Sequence, residues 1–253
     1  EAVAALIDGG AAVNIVSGGD STSALLMATI NAQFDIALVL IENGAELPFC
    51  LVLAFGCQIF GDFAGYSLIA LGVALLFGIV LPRNFRSPYI ASSLSEFWQR
   101  WHRTLSRWIR DYLYIPLGGG RQTKTRIVIV LVIVMTASGL WHGNTISFGL
   151  WGALHGIALT LDRFTLRQAA RKTENELVRS CISVSRAVFC FATVMLLWIF
   201  FREQDTFLAL HILRSLFMGE FSLANLQDLV VGNPLAAYAF AIVVLTHAMA
   251  YAR

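Results

Sequence analysis

Ser92-Ser-Leu-Ser-Glu-Phe-Trp-Gln-Arg-Trp-His-Arg-Thr-Leu-Ser-Arg-Trp-Ile-Arg-Asp-Tyr-Leu-Tyr-Ile-Pro-Leu-Gly-Gly-Gly120 is the stretch around which this chain is organised. Trp98, Trp101, Leu105, Trp108 and Tyr112 recur at spacings of three and four, which predicts one helical stripe. Arg100, Arg103, Arg107 and Arg110 repeat at the same kind of interval, roughly 160° around the helix from the aromatics at about 100° per residue. Tryptophans on one face and arginines on the other suit a membrane–water interface. An amphipathic helix lying on a soluble core shares this pattern, and the surrounding composition decides between them. Ser93-Leu-Ser-Glu96 predicts a capping box at the start, and Pro116 with Gly118-Gly-Gly120 a stop. Glu96 with Arg100, and Arg107 with Asp111, are expected i,i+4 ion pairs.

The chain is 57% hydrophobic and 13% charged, with a mean hydropathy of +0.70. Soluble domains carry about twice that charge. Uncharged runs separated by charged clusters predict an all-α, polytopic membrane protein with an interfacial amphipathic helix. The runs cover 48–61, 63–82, 127–141, 147–161, 187–201 and 229–251. The first two would reach roughly 50 Å as one helix, against a hydrocarbon thickness of about 30 Å, so a break is expected near Gly61-Asp62-Phe-Ala-Gly65. Three of the last four runs fall short of a full span, which predicts tilted, broken or protein-shielded helices.

Residues 1–46 differ from the rest. They hold six acidic residues and no Lys or Arg. Ser23-Ala-Leu-Leu-Met-Ala28, and Phe34 to Glu46 with its Asn43-Gly-Ala turn, resemble ankyrin repeats. Gly10 and Gly44 stand about one 33-residue repeat apart. The expected organisation is therefore a short N-terminal ankyrin-like helical segment over 1–46 and a membrane domain over 47–253. The chain opens at Glu1 without a methionine and is expected to be part of a longer protein.

Basic residues mark the expected topology. Arg121 to Arg126, and Arg163 to Arg186, flank apolar runs, whereas 202–228 balances Arg202 and Arg214 with acids. By the positive-inside rule the basic segments and the ankyrin-like segment face the cytoplasm and 202–228 faces out. Runs 127–141 and 147–161 then form a hairpin with His142 at its turn. Cys50, Cys57, Cys181 and Cys190 make no metal or redox spacing and read as buried thiols.

His142 is the sharpest chemical candidate. It follows Trp141 between two apolar runs, and its imidazole accepts a proton near neutral pH. His102 sits on the edge of the aromatic stripe. His155 lies inside an apolar run, while His211 and His247 have no supporting pattern. No HExxH, CxxC pair or carboxylate cluster predicts a metal site, and no P-loop, Rossmann fingerprint or GxSxG elbow is present.

Further blocks carry a family resemblance. They are Gln58 to Ser67, Leu81-Pro-Arg-Asn-Phe85, Phe97 to Trp108, Arg110 to Gly119, Gly139-Leu-Trp-His-Gly143, Leu150-Trp-Gly-Ala-Leu-His-Gly156 and Trp198-Ile-Phe-Phe-Arg202. In that order they resemble the C-terminal half of the membrane-bound O-acyltransferases, in the branch that acetylates bacterial alginate. Leu68 departs from that branch, which has an acidic residue there. The resemblance implies His142 as catalytic residue and His102 as a second functional histidine. Asp62, Trp141, Asn144 and His155 complete the expected substrate-binding set, with a helix-break role equally open for Asp62. It implies an inner-membrane enzyme with no bound cofactor or metal, using acyl-coenzyme A or another acyl thioester as donor and a polysaccharide as acceptor. Membrane lipid and extracytoplasmic acetylation proteins are the expected partners, and nucleic acid is not. A non-enzymatic membrane module, an ankyrin adaptor on a truncated acyltransferase half, is the alternative.

Overall fold

The computed structural model describes residues 2–13, 24, 49–166 and 175–218. Most of the ankyrin-like segment, the apolar run 229–251 and His247 lie outside the described residues. The chain divides into two compact units, one of Glu1–Cys57 with Phe207–Ile242 and one of Gln58–Thr206 with Val243–Arg253. The described elements are helices: α1 (Ala2–Asp8), α2 (Phe49–Leu76), α3 (Leu94–Arg100), α4 (Arg103–Ile109), α5 (Lys124–His142), α6 (Ile146–Leu161), α7 (Glu176–Arg202) and α8 (Thr206–Met218). Single π-helical turns extend α4 over Arg110–Tyr114 and α6 over Asp162–Leu166. Among the described residues, three helices are long and apolar enough to cross a membrane: Phe55–Leu76 within α2, then α5 and α7. The fold is that of an all-α polytopic membrane protein.

In the first unit, α1 ends where Gly10 turns left-handed (φ 92°) and the Ala11 N–H donates to the Leu6 carbonyl at 3.0 Å. That is the glycine-dependent helix stop. The same device ends α2 in the second unit. Gly78 has φ 72°, and Ile79 N–H reaches the Ala74 carbonyl at 3.0 Å.

The expected break at 61–65 does not occur, and α2 is continuous over 28 residues. Gly61 and Gly65 cost helix propensity but remove no hydrogen bond, and Asp62 rests on the exposed face. The helix is kept within reach of a tilted crossing by stopping at Leu76, well before the apolar run ends.

The interfacial stretch is also not one helix. Ser93 Oγ accepts the Glu96 N–H at 3.1 Å, as the capping box predicts. Glu96 reaches back one residue further than expected, to the Ser92 N–H at 2.8 Å. The helix then breaks at Trp101–His102, where His102 has φ 40°. The break turns Trp101 inward and leaves Trp108 52% and Tyr112 66% exposed, so the stripe is divided between two surfaces. The Glu96–Arg100 pair forms (Nε at 2.9 Å), but Asp111 pairs with Arg110 at 2.8 Å in place of Arg107. The π-helical turn at 110–114 shifts the register on which the i,i+4 expectation rested.

Helices α5 and α6 form the expected hairpin, held by small residues. A Cβ at Gly139 would strike the Phe148 carbonyl oxygen, one at Gly152 the Met135 carbonyl oxygen, and one at Gly156 would lie 2.7 Å from Val132 Cα. The backbones approach this closely only because these positions have no side chain. Helix α7 packs against α6. The Ser147 hydroxyl donates to the carbonyl of Glu203 (2.6 Å) or Phe200 (2.8 Å), tying the start of one helix to the end of the other. At the opposite end, Arg186 meets Asp162 at 3.4 Å with both side chains largely buried. Arg186 is therefore helical, as is Arg179, and the basic loop expected over 163–186 is replaced from Glu176 onward by α7. Among the described cysteines, Cys190 is buried, Cys57 half-buried and Cys181 exposed, all as free thiols.

Candidate active site

His142 is the last residue of α5, where the hairpin turns through Gly143. Its ring lies 5.5 Å from Trp151, 5.0 Å from Phe201 and 4.9 Å from Trp141, centroid to centroid. Trp151 comes from α6 and Phe201 from α7, so three helices wall one imidazole. Phe148 fills the space beside Gly143, where a Cβ would meet its ring. The half-buried His142 ring has no hydrogen-bond partner among the described residues, which leaves its nitrogens available to a substrate.

His102 occupies the bend between α3 and α4. A left-handed conformation at a non-glycine residue costs of order 1–3 kcal/mol and persists only where the surroundings hold it. The surroundings here are the loop after α2. Arg86 N–H donates to the Arg100 carbonyl at 3.0 Å, and Arg103 N–H donates to the Asn84 carbonyl at 2.9 Å. The Thr104 hydroxyl adds a bond to Asn84 Oδ1 at 2.6 Å. The bend is thus gripped on both sides, and the His102 ring is set edge-on against Phe63 at 4.6 Å. Burial, and then the nearby charge of His142, hold the His102 imidazole down to about 4. It is therefore neutral at physiological pH and not a cation. The influence of one ring on the other also places the two histidines within electrostatic range.

Aromatic side chains fill the space around the two histidines. Trp101 contacts Phe63 (6.3 Å) and Trp198 (5.0 Å), and Trp198 stacks on Trp151 at 5.9 Å. His155 is fully buried between Trp98 (5.1 Å) and Trp151 (4.9 Å), so it joins His142 through the Trp151 ring and not directly. Neither of its ring nitrogens has a hydrogen-bond partner among the described residues. Trp141 touches His142 but is 64% exposed, and Asn144 is exposed in the turn. Asp62 is exposed on α2, one residue before the Phe63 that meets His102. The structure therefore gathers His142, His102 and, at one remove, His155. Among the described residues, Asp62 and Asn144 make no hydrogen bond to them.

Sequence reading missed Asn84, Phe63 and Phe201. Phe63 and Phe201 are apolar residues in apolar runs and carry no signal of their own. Asn84 follows Pro82 and Arg83 in a turn-like block, but its grip on residues 103 and 104 is set by tertiary contact.

The model of the membrane-bound O-acyltransferase family matches residues 35–209. The chain belongs to this family. The match begins inside the segment read as ankyrin-like. Among curated relatives, a probable alginate O-acetylase of Azotobacter vinelandii is 41% identical over 176 residues, covering 69% of this chain and 34% of the relative. A peptidoglycan O-acetyltransferase of Helicobacter pylori is 40% identical over 164 residues, covering 65% and 30%. A teichoic acid D-alanyltransferase of Streptococcus thermophilus is 38% identical over 133 residues, covering 50% and 32%. The chain thus spans about a third of the length of these relatives.

Proposed function

We propose that this chain is the histidine-bearing portion of a membrane O-acyltransferase. It moves an acetyl or similar acyl group from a thioester to a hydroxyl of an extracellular polysaccharide such as alginate. The observation that carries this reading is the convergence of three helices on His142, with a neutral His102 within its electrostatic range. The relatives' names, acetylases and an alanyltransferase of cell-surface polymers, support the substrate class.

The chemistry assigned to the residues balances. His142 takes the proton of the acceptor hydroxyl as its oxygen attacks the thioester carbonyl. The carbon–sulfur bond breaks as the tetrahedral intermediate collapses, and the imidazolium returns its proton to the departing thiolate. A neutral His102 offers an N–H to the oxyanion, which forms in a water-poor aromatic setting where such a bond is strengthened. The site belongs to the cytoplasmic membrane in this reading, with a soluble thioester reaching it from the basic side and acetylation proteins receiving the product outside.

In membranes carrying the chain completed to the length of its relatives, His142→Ala is expected to lower transfer of labelled acetyl groups to polysaccharide by about 10²–10⁴-fold at unchanged protein level. Near-normal turnover would remove His142 as the base and favour a non-enzymatic membrane module.

A further inference from the structure

Residues 202–228 read as an outward-facing segment whose charges balance, but the helix within it does not share that balance. The acids Glu203, Asp205, Glu220 and Asp228 all fall outside α8. Between Thr206 and Met218 the charged residue is Arg214, and most of the others are apolar. Such a helix needs cover on more than one side. Ala209 is fully buried, and Leu208, Ile212, Leu213 and Leu216 are half-buried around it. On the other side Phe207 is 85% and Phe217 72% exposed, with Leu210 and Arg214 exposed between them. These four stand at i, i+3, i+7 and i+10, which at about 100° per residue gathers them within about 80° of arc. A contiguous exposed apolar face of this kind marks an interaction surface.

Its place in the chain and its chemistry point to the occupant. Helix α7 is able to cross a membrane, and its apolar run ends at Phe201. Glu203, Gln204 and Asp205 alone link it to α8. That link reaches at most about 14 Å when extended, so the start of α8 is tethered close to the bilayer surface. The 13 residues of α8 span roughly 20 Å, short of a hydrocarbon thickness of about 30 Å, so the helix lies along the surface and does not cross. Arg214 stands one turn from Leu210 and one from Phe217. Its methylenes can stay against the apolar face while its guanidinium reaches phosphate oxygens. The helix contains no carboxylate to compete for it.

We infer that the Phe207–Leu210–Phe217 face of α8 docks onto the phospholipid bilayer, with the helix in the plane of the interface and Arg214 at phosphate depth. The inference concerns lipid alone, so it stands whether or not the proposed acyl transfer does.

The test measures depth. Phe207→Cys, Phe217→Cys and, as the aqueous reference, Gln204→Cys are each placed in the full chain lacking Cys50, Cys57, Cys181 and Cys190. Each protein is spin-labelled and reconstituted into vesicles of phosphatidylglycerol and phosphatidylethanolamine. Oxygen concentrates in the bilayer and a nickel chelate stays in water, so the ratio of their collision rates with the label reports immersion. The ratio at both phenylalanine positions should stand severalfold above that at Gln204. A ratio equal to that at Gln204 would place the face in water. Exclusion of both reagents would place it under protein, whether a second copy or another partner. Either result overturns the inference. Should the cysteine-substituted chains not fold, the wild-type chain supplies a second measurement. In the same vesicles, a phospholipid carrying a diazirine at the start of its acyl chain should label residues 206–218 on irradiation, as mapped by mass spectrometry. Labelling of other helices without labelling of 206–218 overturns the inference equally.

Discussion

His102 is held neutral in a backbone conformation that histidine does not choose. Unfolded, its imidazole titrates near 6.5, and in the folded chain near 4. Between those values the unfolded chain binds more protons than the folded one. The stability that depends on a neutral His102 is complete above about pH 6.5 and is lost as pH falls through the window toward 4. His102→Asn, which tolerates the left-handed conformation and does not titrate, should lose less stability than wild type between pH 7 and pH 5. Denaturation midpoints of the detergent-solubilised protein at the two pH values measure this. An equal loss in both proteins would mean that the ring is not held neutral. His142 differs in kind, because its surroundings supply walls and no hydrogen bonds. That suits a base whose partner is the substrate, and the His142→Ala result above is the corresponding residue-scale outcome.

At the scale of elements, the glycine seam of the α5–α6 hairpin sets where His142 stands relative to Trp151 and Phe148. Gly152→Leu would drive side-chain atoms into the Met135 carbonyl. The expected cost is about 1–3 kcal/mol or more, because two backbones must separate. It should appear as a lower thermal unfolding midpoint of the purified chain. Gly61→Ala in α2 is the matched comparison, since a Cβ there has no atom within 4 Å. It should leave the midpoint unchanged or raise it, as alanine is the better helix former by about 1 kcal/mol. Equal effects from the two substitutions would mean that the hairpin is not packed through its glycines. The bend at His102 is positioned differently, by Asn84 and Arg86 reaching across from another segment.

For the molecule as a whole, α5, α6 and α7 run in alternating directions, so Thr123 before α5 and Gln204 after α7 belong on opposite sides of a membrane. Single cysteines at these two positions, in a background without Cys50, Cys57, Cys181 and Cys190, should react with an impermeant thiol reagent from opposite sides. Labelling from the same side would reject the arrangement. Local chemistry was sufficient to predict much of this architecture. The helices over the runs 127–141, 147–161 and 187–201, the serine cap at Ser93, the stop at Pro116 and the hairpin turning at His142 are all written in neighbouring residues, and they form as read. His142 and His102 are singled out because they stand in blocks resembling an enzyme family, and their roles await the substitutions described above. What sequence could not reveal depends on contacts between distant segments. Periodicity reports which face a side chain occupies only while the helix continues, and the α3–α4 helix is interrupted by bonds from Asn84 and Arg86. That interruption turned Trp101 inward and left His102 within electrostatic range of His142. The burial of Arg186 beside Asp162 is likewise tertiary: an arginine in a basic run reads as a loop cation until a carboxylate from another helix is packed against it.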